Sequence, residues 1–342
     1  MKKKYYIGEL PPPYGGVTVK NSLLYEELKK IHNIKMIDLM ECKRTPYKIP
    51  LTFFRILMVF MSKATVIYGV GSYKRLKTLL FCQSLFGKSI EKVTIIVMGG
   101  TFAQSVLKDK KMQTFCKQVK CIWVETECMS KQLNVLFHED NLKVFPNPKT
   151  GVGACPPRIR SKQEPLKLVF FSQISKEKGV EDIIAAIQQL NTQTDIIYEL
   201  DFYGHIKDNI RKKFEIFIKD NKTVSYKGVF DSTQANIYQK LNEYDILLFP
   251  SHWKGEGVPG ILVEAKMAGL AIIASNKNYN CEIVREVDKE GIILKDDYAV
   301  EIVETILNFY YNPETLQDIK ESSYYSRKRY TIEKYRGILY SI

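Results

Sequence analysis

The sequence predicts an α/β protein made of two doubly wound, Rossmann-like domains, and three observations carry that prediction. The chain has 342 residues, and at roughly 150 residues per domain that length suits two domains. Short β-rich apolar runs alternate with helical patterns from end to end, the signature of βα units feeding a parallel sheet. Midway, Pro146-Asn147-Pro148, Gly151, Gly153, Pro156 and Pro157 precede polar residues 158–164, a concentration of turn formers that reads as a linker.

In chain order, strands are expected at 4–8, 35–39, 65–69, 93–98, 121–125 and 143–145. The second half repeats the pattern at 166–172, 198–203, 224–227, 245–249, 271–274 and 291–294, with helices such as 180–190 and 234–241 between them. The boundary is placed at 150. A first domain then covers 1–150, a second covers 151–320, and 321–342 form a C-terminal helix packing back on the first domain. Two such domains face one another across a cleft, because doubly wound sheets bind ligands beyond the carboxyl ends of their strands.

With 45% apolar, 26% charged and 12% aromatic residues, the chain falls in the globular range and outside the disordered and collagenous classes. Seven cysteines at 42, 82, 116, 121, 128, 155 and 281 form no C-x-x-C pair and no zinc-ligand spacing, so they read as reduced thiols. The basic start Lys2-Lys3-Lys4 meets Glu9 before an apolar stretch develops, so no export signal is expected. The longest apolar run, 51–61, contains Arg55 and is too short to span a bilayer.

The formal charge of +13 is unevenly placed. Residues 1–150 hold 25 Lys and Arg against 11 Asp and Glu, whereas the rest hold 26 against 27. Between Lys48 and Lys92 bases interleave with bulky apolar residues, as in 53–60 and 74–81. That is the pattern of basic amphipathic helices on an anionic bilayer. Nucleic acid is the weaker reading, since no reader motif accompanies the charge.

The most informative segment is the apolar run 245–249, then Pro250-Ser251-His252-Trp253-Lys254-Gly255-Glu256-Gly257-Val258-Pro259-Gly260, then a helical pattern containing Glu264. Gly255, Gly257 and Gly260 allow close backbone approach, and a helix opening near Gly260 aims free N–H groups and a positive dipole end at an anion. Glu264, beside a phosphate, needs hydroxyl partners, and the vicinal pair of a ribose suits its two oxygens.

Glu256 and Glu264, with seven residues between them, and the following Ala265-Lys266-Met267-Ala268-Gly269-Leu270-Ala271-Ile272-Ile273-Ala274-Ser275, resemble the E-x7-E signature of retaining GT-B glycosyltransferases of family 4 (group 1), of the bacterial capsule and exopolysaccharide type. Other segments agree in order. Pro11-Pro12-Pro13-Tyr14-Gly15-Gly16 resembles the family's glycine loop near the donor phosphates and acceptor. Ser172-Gln173-Ile174-Ser175-Lys176-Glu177-Lys178-Gly179 resembles the turn whose arginine and lysine grip the diphosphate, with Gln173 in the arginine's place and Lys176 as a possible substitute cation. Residues 325–340 resemble the helix returning to the first domain. Val258-Pro259 departs from the usual phenylalanine-glycine, and Gly99-Gly100-Thr101-Phe102 lacks the histidine many members carry, so none of His32, His138, His205 or His252 is given a catalytic role.

The resemblance implies metal-independent hexosyl transfer from a UDP- or GDP-sugar to a hydroxyl of a glycan, with no cofactor and no catalytic metal. It assigns catalysis to Glu256 and Lys178, and donor binding to Glu264, Gly257, Gly260, Gln173, Gly15 and Gly16. The acceptor it implies is a glycan carried on polyprenyl diphosphate, in capsule, exopolysaccharide or O-antigen assembly. The enzyme would then be cytoplasmic, held peripherally on the inner face of the membrane by its basic first domain. A nucleotide-sugar 2-epimerase of the same architecture is the competing enzyme.

Overall fold

The computed structural model describes residues 3–193, 196–231 and 236–342. The chain divides into two compact units. One comprises Met1–Asn147 with Gly255–Val258 and Lys334–Ile342, and the other Pro148–Lys254 with Pro259–Glu333.

The first unit holds strands β1 (Lys4–Gly8), β2 (Ile34–Asp38), β3 (Thr65–Gly69), β4 (Val93–Ile96), β5 (Cys121–Val124) and β6 (Leu142–Val144). All pair in parallel, in the order β2-β1-β3-β4-β5-β6. The second unit holds β7 (Leu166–Phe171), β8 (Tyr198–Tyr203), β9 (Val224–Tyr226), β10 (Ile246–Phe249), β11 (Ala271–Ser275) and β12 (Ile292–Leu294). Its order is β12-β11-β10-β7-β8-β9, again all parallel. Both are doubly wound parallel sheets of six strands. The central strands are apolar on both faces because helices cover both: every residue of β10 and of β11 is buried, as parallel sheets require.

Strand order fixes where a ligand binds. A doubly wound sheet opens a crevice where the direction of winding reverses. In the second unit the reversal lies between β7 and β10, beneath the turn after β7 and the loop after β10.

The division differs from the one expected. It falls after Asn147 rather than at 150, and the glycine loop 255–258 groups with the first unit. Nor is 321–342 one helix. The helix Pro313–Ser326 stays in the second unit, 3₁₀ turns follow at Arg327–Tyr330 and Ile332–Tyr335, and a short helix, Arg336–Tyr340, belongs to the first unit. There the carbonyls of Leu339, Ser341 and Ile342 take hydrogen bonds from His32 (2.8 Å), Lys120 (2.7 Å) and Lys4 (2.6 Å). The helix expected over 234–241 runs Ile237–Leu241, and Gln234 lies outside the described residues. Among the described residues no helix is long and apolar enough to cross a membrane.

Candidate active site

In the second unit, β7 runs into a turn whose 3₁₀ segment, Lys176–Lys178, is closed by Gly179 in the left-handed region, φ 76°. A Cβ there would lie 2.0 Å from the Pro250 carbonyl oxygen, so only glycine lets this turn press against the end of β10. Two further ties hold the same junction. The His252 N–H donates to the Glu177 carbonyl at 2.9 Å, and His252 Nε2 lies 2.7 Å from Asp182 Oδ2. The His252 ring also stacks on Tyr298, centroids 5.0 Å apart.

This junction sets Lys178 beside β10. Its ammonium lies 5.9 Å from the centre of the Phe249 ring. Gln173, earlier in the turn, is exposed. Lys176 lies 3.7 Å from Glu181 with about half of its side chain in solvent.

The helix Gly260–Met267 starts after Pro259, which has no side chain to cap it. The Leu262 N–H donates to the Pro259 carbonyl at 3.1 Å, no side chain caps the turn, and its N–H groups, that of Gly260 among them, carry the positive end of the helix dipole. Glu264 sits one turn in, 15% exposed, with Lys149 Nζ 2.7 Å from its Oε1. The Lys149 backbone is fixed in turn: its N–H donates to Tyr330 (2.8 Å) and its carbonyl accepts from Ile332 (2.9 Å). Tyr238, whose hydroxyl donates to the Thr150 carbonyl at 3.0 Å, has its pKa raised by burial and then by the charges of Glu264 and Glu333. Underneath, Lys266 is wholly buried against Glu290 (2.9 Å) and Ser326 (2.7 Å), and Arg329 takes Glu290 from the other side.

Glu256 and Gly257 lie in the loop that packs within the first unit. The Gly100 N–H donates to the Gly255 carbonyl at 3.1 Å, and the Asn147 amide donates to the Val258 carbonyl at 2.9 Å. Gly257 passes so close to Glu125 that a Cβ would lie 1.7 Å from its Oε2. The Glu125 carboxylate accepts from Lys20 Nζ (2.6 Å) and from the N–H groups of Gly99 (3.2 Å) and Val258 (3.4 Å). Gly15 and Gly16 open the first helix, Gly16–Ile31, where the Gly15 N–H donates to Thr18 Oγ1 at 3.0 Å.

The structure therefore places Lys178, Gln173, Gly260 and Glu264 in the second unit, and Glu256, Gly257, Gly15 and Gly16 in the first. Three side chains of these two settings escaped the sequence reading. Lys149 sat in a stretch taken as spacer. Glu125 was counted only as the end of a strand. Lys20 carried a signal: with Asn21 it occupies the stripe Leu24 and Leu28 define on the first helix, and all four are buried. Polar residues on a core stripe mark a buried network.

Residues 156–325 match the family described as glycosyl transferases group 1. That segment is a group 1 glycosyl transferase domain. No curated protein matches the chain. Solved structures share its fold over nearly the whole length. The Anabaena protein HepE in complex with UDP is 14% identical, with a TM-score of 0.73 and 100% of each chain covered. Sucrose-phosphate synthase from Thermosynechococcus elongatus is 13% identical, with a TM-score of 0.74 over 100% of this chain and 98% of that one. The apo lipopolysaccharide outer core galactosyltransferase WaaB is 16% identical, with a TM-score of 0.67 and 99% of each covered. The group 1 domain contains the turn with Lys178 and the helix with Glu264, so both lie within the matched glycosyltransferase segment.

Proposed function

We propose that the protein is a retaining hexosyltransferase that takes its sugar from a UDP- or GDP-sugar and passes it to a hydroxyl of a lipid-linked glycan. One observation carries this reading: Lys178 and the uncapped helix Gly260–Met267, with Glu264 inside it, follow the two strands that flank the reversal of the second sheet. Glu264 accepts the ribose hydroxyls, Lys149 holding its other oxygen. Lys178 and the first N–H groups of the helix, including that of Gly260, face the diphosphate. Glu256 accepts from the sugar, and Gly257 contributes its backbone N–H.

In the reaction the bond from the anomeric carbon to the diphosphate oxygen breaks, and its electron pair leaves with the nucleoside diphosphate. The acceptor oxygen bonds to that carbon as its proton passes to the departing diphosphate. Charge grows on the leaving diphosphate, where a prepositioned ammonium and helix N–H groups stabilise the transition state more than the ground state. The likeness to HepE, solved with UDP, supports a nucleotide-linked donor. Assembly of a surface polysaccharide such as capsule is the setting that fits a lipid-linked acceptor and a basic first unit on the inner face of the membrane.

The test is a screen of UDP- and GDP-sugars for slow donor hydrolysis and for transfer, with the product's anomeric configuration read by NMR. One donor should be consumed with retention, and Lys178→Ala should lower kcat/KM by about 100-fold or more. Turnover of none of the donors, release of a 2-epimerised sugar, or parental kcat/KM in Lys178→Ala would overturn the proposal.

A further inference from the structure

The helix Ile49–Met61 of the first unit is built inside out. Thr52, Val59 and Phe60 are its buried residues, while Leu51, Phe54, Met58 and Met61 are 46%, 57%, 47% and 56% exposed. These four stand at i, i+3, i+7 and i+10, on one face of the helix. Phe53, 67% exposed, flanks the stripe, and Tyr47, 79% exposed, precedes the helix. A continuous apolar face of this kind on a water-exposed helix marks a surface that meets something apolar.

Charge identifies what it meets. From Cys42 to Ile90 the chain carries nine bases, Lys43, Arg44, Lys48, Arg55, Lys63, Lys74, Arg75, Lys77 and Lys88, and no acidic residue. Lys43, Arg44, Lys48, Arg55 and Lys63 lie in or directly beside the apolar helix. A second copy of the chain would bring the same positive surface against this one, since a twofold contact pairs a patch with itself. An anionic bilayer offers apolar chains to the stripe and negative headgroups to its rim. Both basic stretches hold paired bases. Beside the helix Arg44 is paired with Asp38 and Lys48 lies 2.5 Å from Glu41; in the second stretch Arg75 is paired with Glu9, and Lys77 lies 2.5 Å from Asp109. It is the apolar stripe that singles out the first.

We infer that the helix Ile49–Met61 is a monotopic membrane-docking element that lies in the plane of an anionic bilayer, with Leu51, Phe54, Met58 and Met61 inserted and the flanking bases on the headgroups. This rests on the reading of a lipid-linked acceptor and names the surface that would bring the enzyme to it.

The test uses the full chain with vesicles of phosphatidylcholine alone or of phosphatidylcholine and phosphatidylglycerol at 7:3. The parent should co-sediment with the anionic vesicles, and a Phe54→Trp variant should show a blue-shifted emission quenched by brominated acyl chains. Phe54→Ser/Met58→Ser should reduce partitioning at least tenfold at both low and high salt, because inserted apolar area is not screened. Its donor hydrolysis should stay at the parental rate. Lys74→Glu/Lys77→Glu should change partitioning less than threefold. The inference fails if the parent ignores anionic vesicles, if the Ser/Ser variant binds them as the parent does, if the tryptophan is not quenched, or if the stripe instead holds a dimer that the Ser/Ser variant dissolves. Absence of vesicle binding with donor turnover intact rejects the docking element alone. Absence of turnover with any nucleotide-sugar, whatever the vesicle result, rejects the enzymatic reading.

Discussion

Lys149 and Glu264 form an ion pair of 2.7 Å inside the second unit, and the lysine is pinned through its own backbone by Tyr330 and Ile332. Both side chains are mostly shielded from water, at 10% and 15% exposure. A carboxylate so held keeps its rotamer before any ligand arrives, which lowers the cost of ordering it on binding. One consequence is that the two partners have separable effects. Glu264→Gln removes charge-assisted hydrogen bonds worth roughly 1.5–3 kcal/mol, so affinity for free nucleoside diphosphate should fall about 10- to 150-fold. Lys149→Met should cost about 3 kcal/mol of stability, because it leaves a largely buried carboxylate unpaired. Titration calorimetry with UDP and GDP, beside urea unfolding, reads both; unchanged nucleotide affinity in Glu264→Gln would remove it from the donor site.

Lys20 and Glu125 should behave as one unit. Replacing Lys20 by Met strands a buried carboxylate and should lower stability by about 3–5 kcal/mol, whereas Lys20→Met/Glu125→Leu should recover most of that loss. Because Glu125 also takes the N–H groups of Gly99 and Val258, Glu125→Ala should loosen the loop bearing Glu256. Transfer should then drop while nucleotide affinity holds. Urea midpoints for the stability series and kcat against UDP affinity for Glu125→Ala check this, and equal losses of kcat and affinity would place Glu125 outside the loop's support.

Lys266 gives the protein an alkaline signature. Burial first of all brings its ammonium down from 10.5 to about 8, against the opposing pull of Glu290. Between those values the unfolded chain holds a proton that the folded chain has released. Stability from this residue therefore rises with pH from about 8 to 10.5, and below about 8 the full cost of burying the charge is present. Lys266→Met should abolish that rise while Arg329 still neutralises Glu290. Urea midpoints of parent and variant, followed from neutral to alkaline pH, should converge or cross in that window; parallel curves would contradict the shift.

The central strands were legible because a parallel sheet buries both their faces, so each is a short apolar run between turn formers. Ala271–Ser275 and Ile246–Phe249 are clear cases. The placement of Glu264 one turn into a helix was legible for a related reason, since a lone carboxylate among Ile261, Leu262, Val263 and Ala265 stands out. What stayed hidden depends on tertiary partners. Nothing in Gly255-Glu256-Gly257-Val258 announces that Glu125 and Asn147 bind it. The break of 321–342 into a helix end and 3₁₀ turns was equally unreadable, because the bonds of Lys149 to Tyr330 and Ile332 hold Thr331 extended between the two turns. Arg75 and Lys77 read as part of a free basic face, whereas in the fold they pair with Glu9 and Asp109.

The tail 334–342 sets the timetable of synthesis. Lys4, His32 and Lys120 bond to carbonyls of Ile342, Leu339 and Ser341, and Phe145 packs its ring on Tyr335. Every residue of the second unit leaves the ribosome before these partners do. The first unit is thus completed only after the second has been made, and the nascent chain meanwhile carries it without its closing segment.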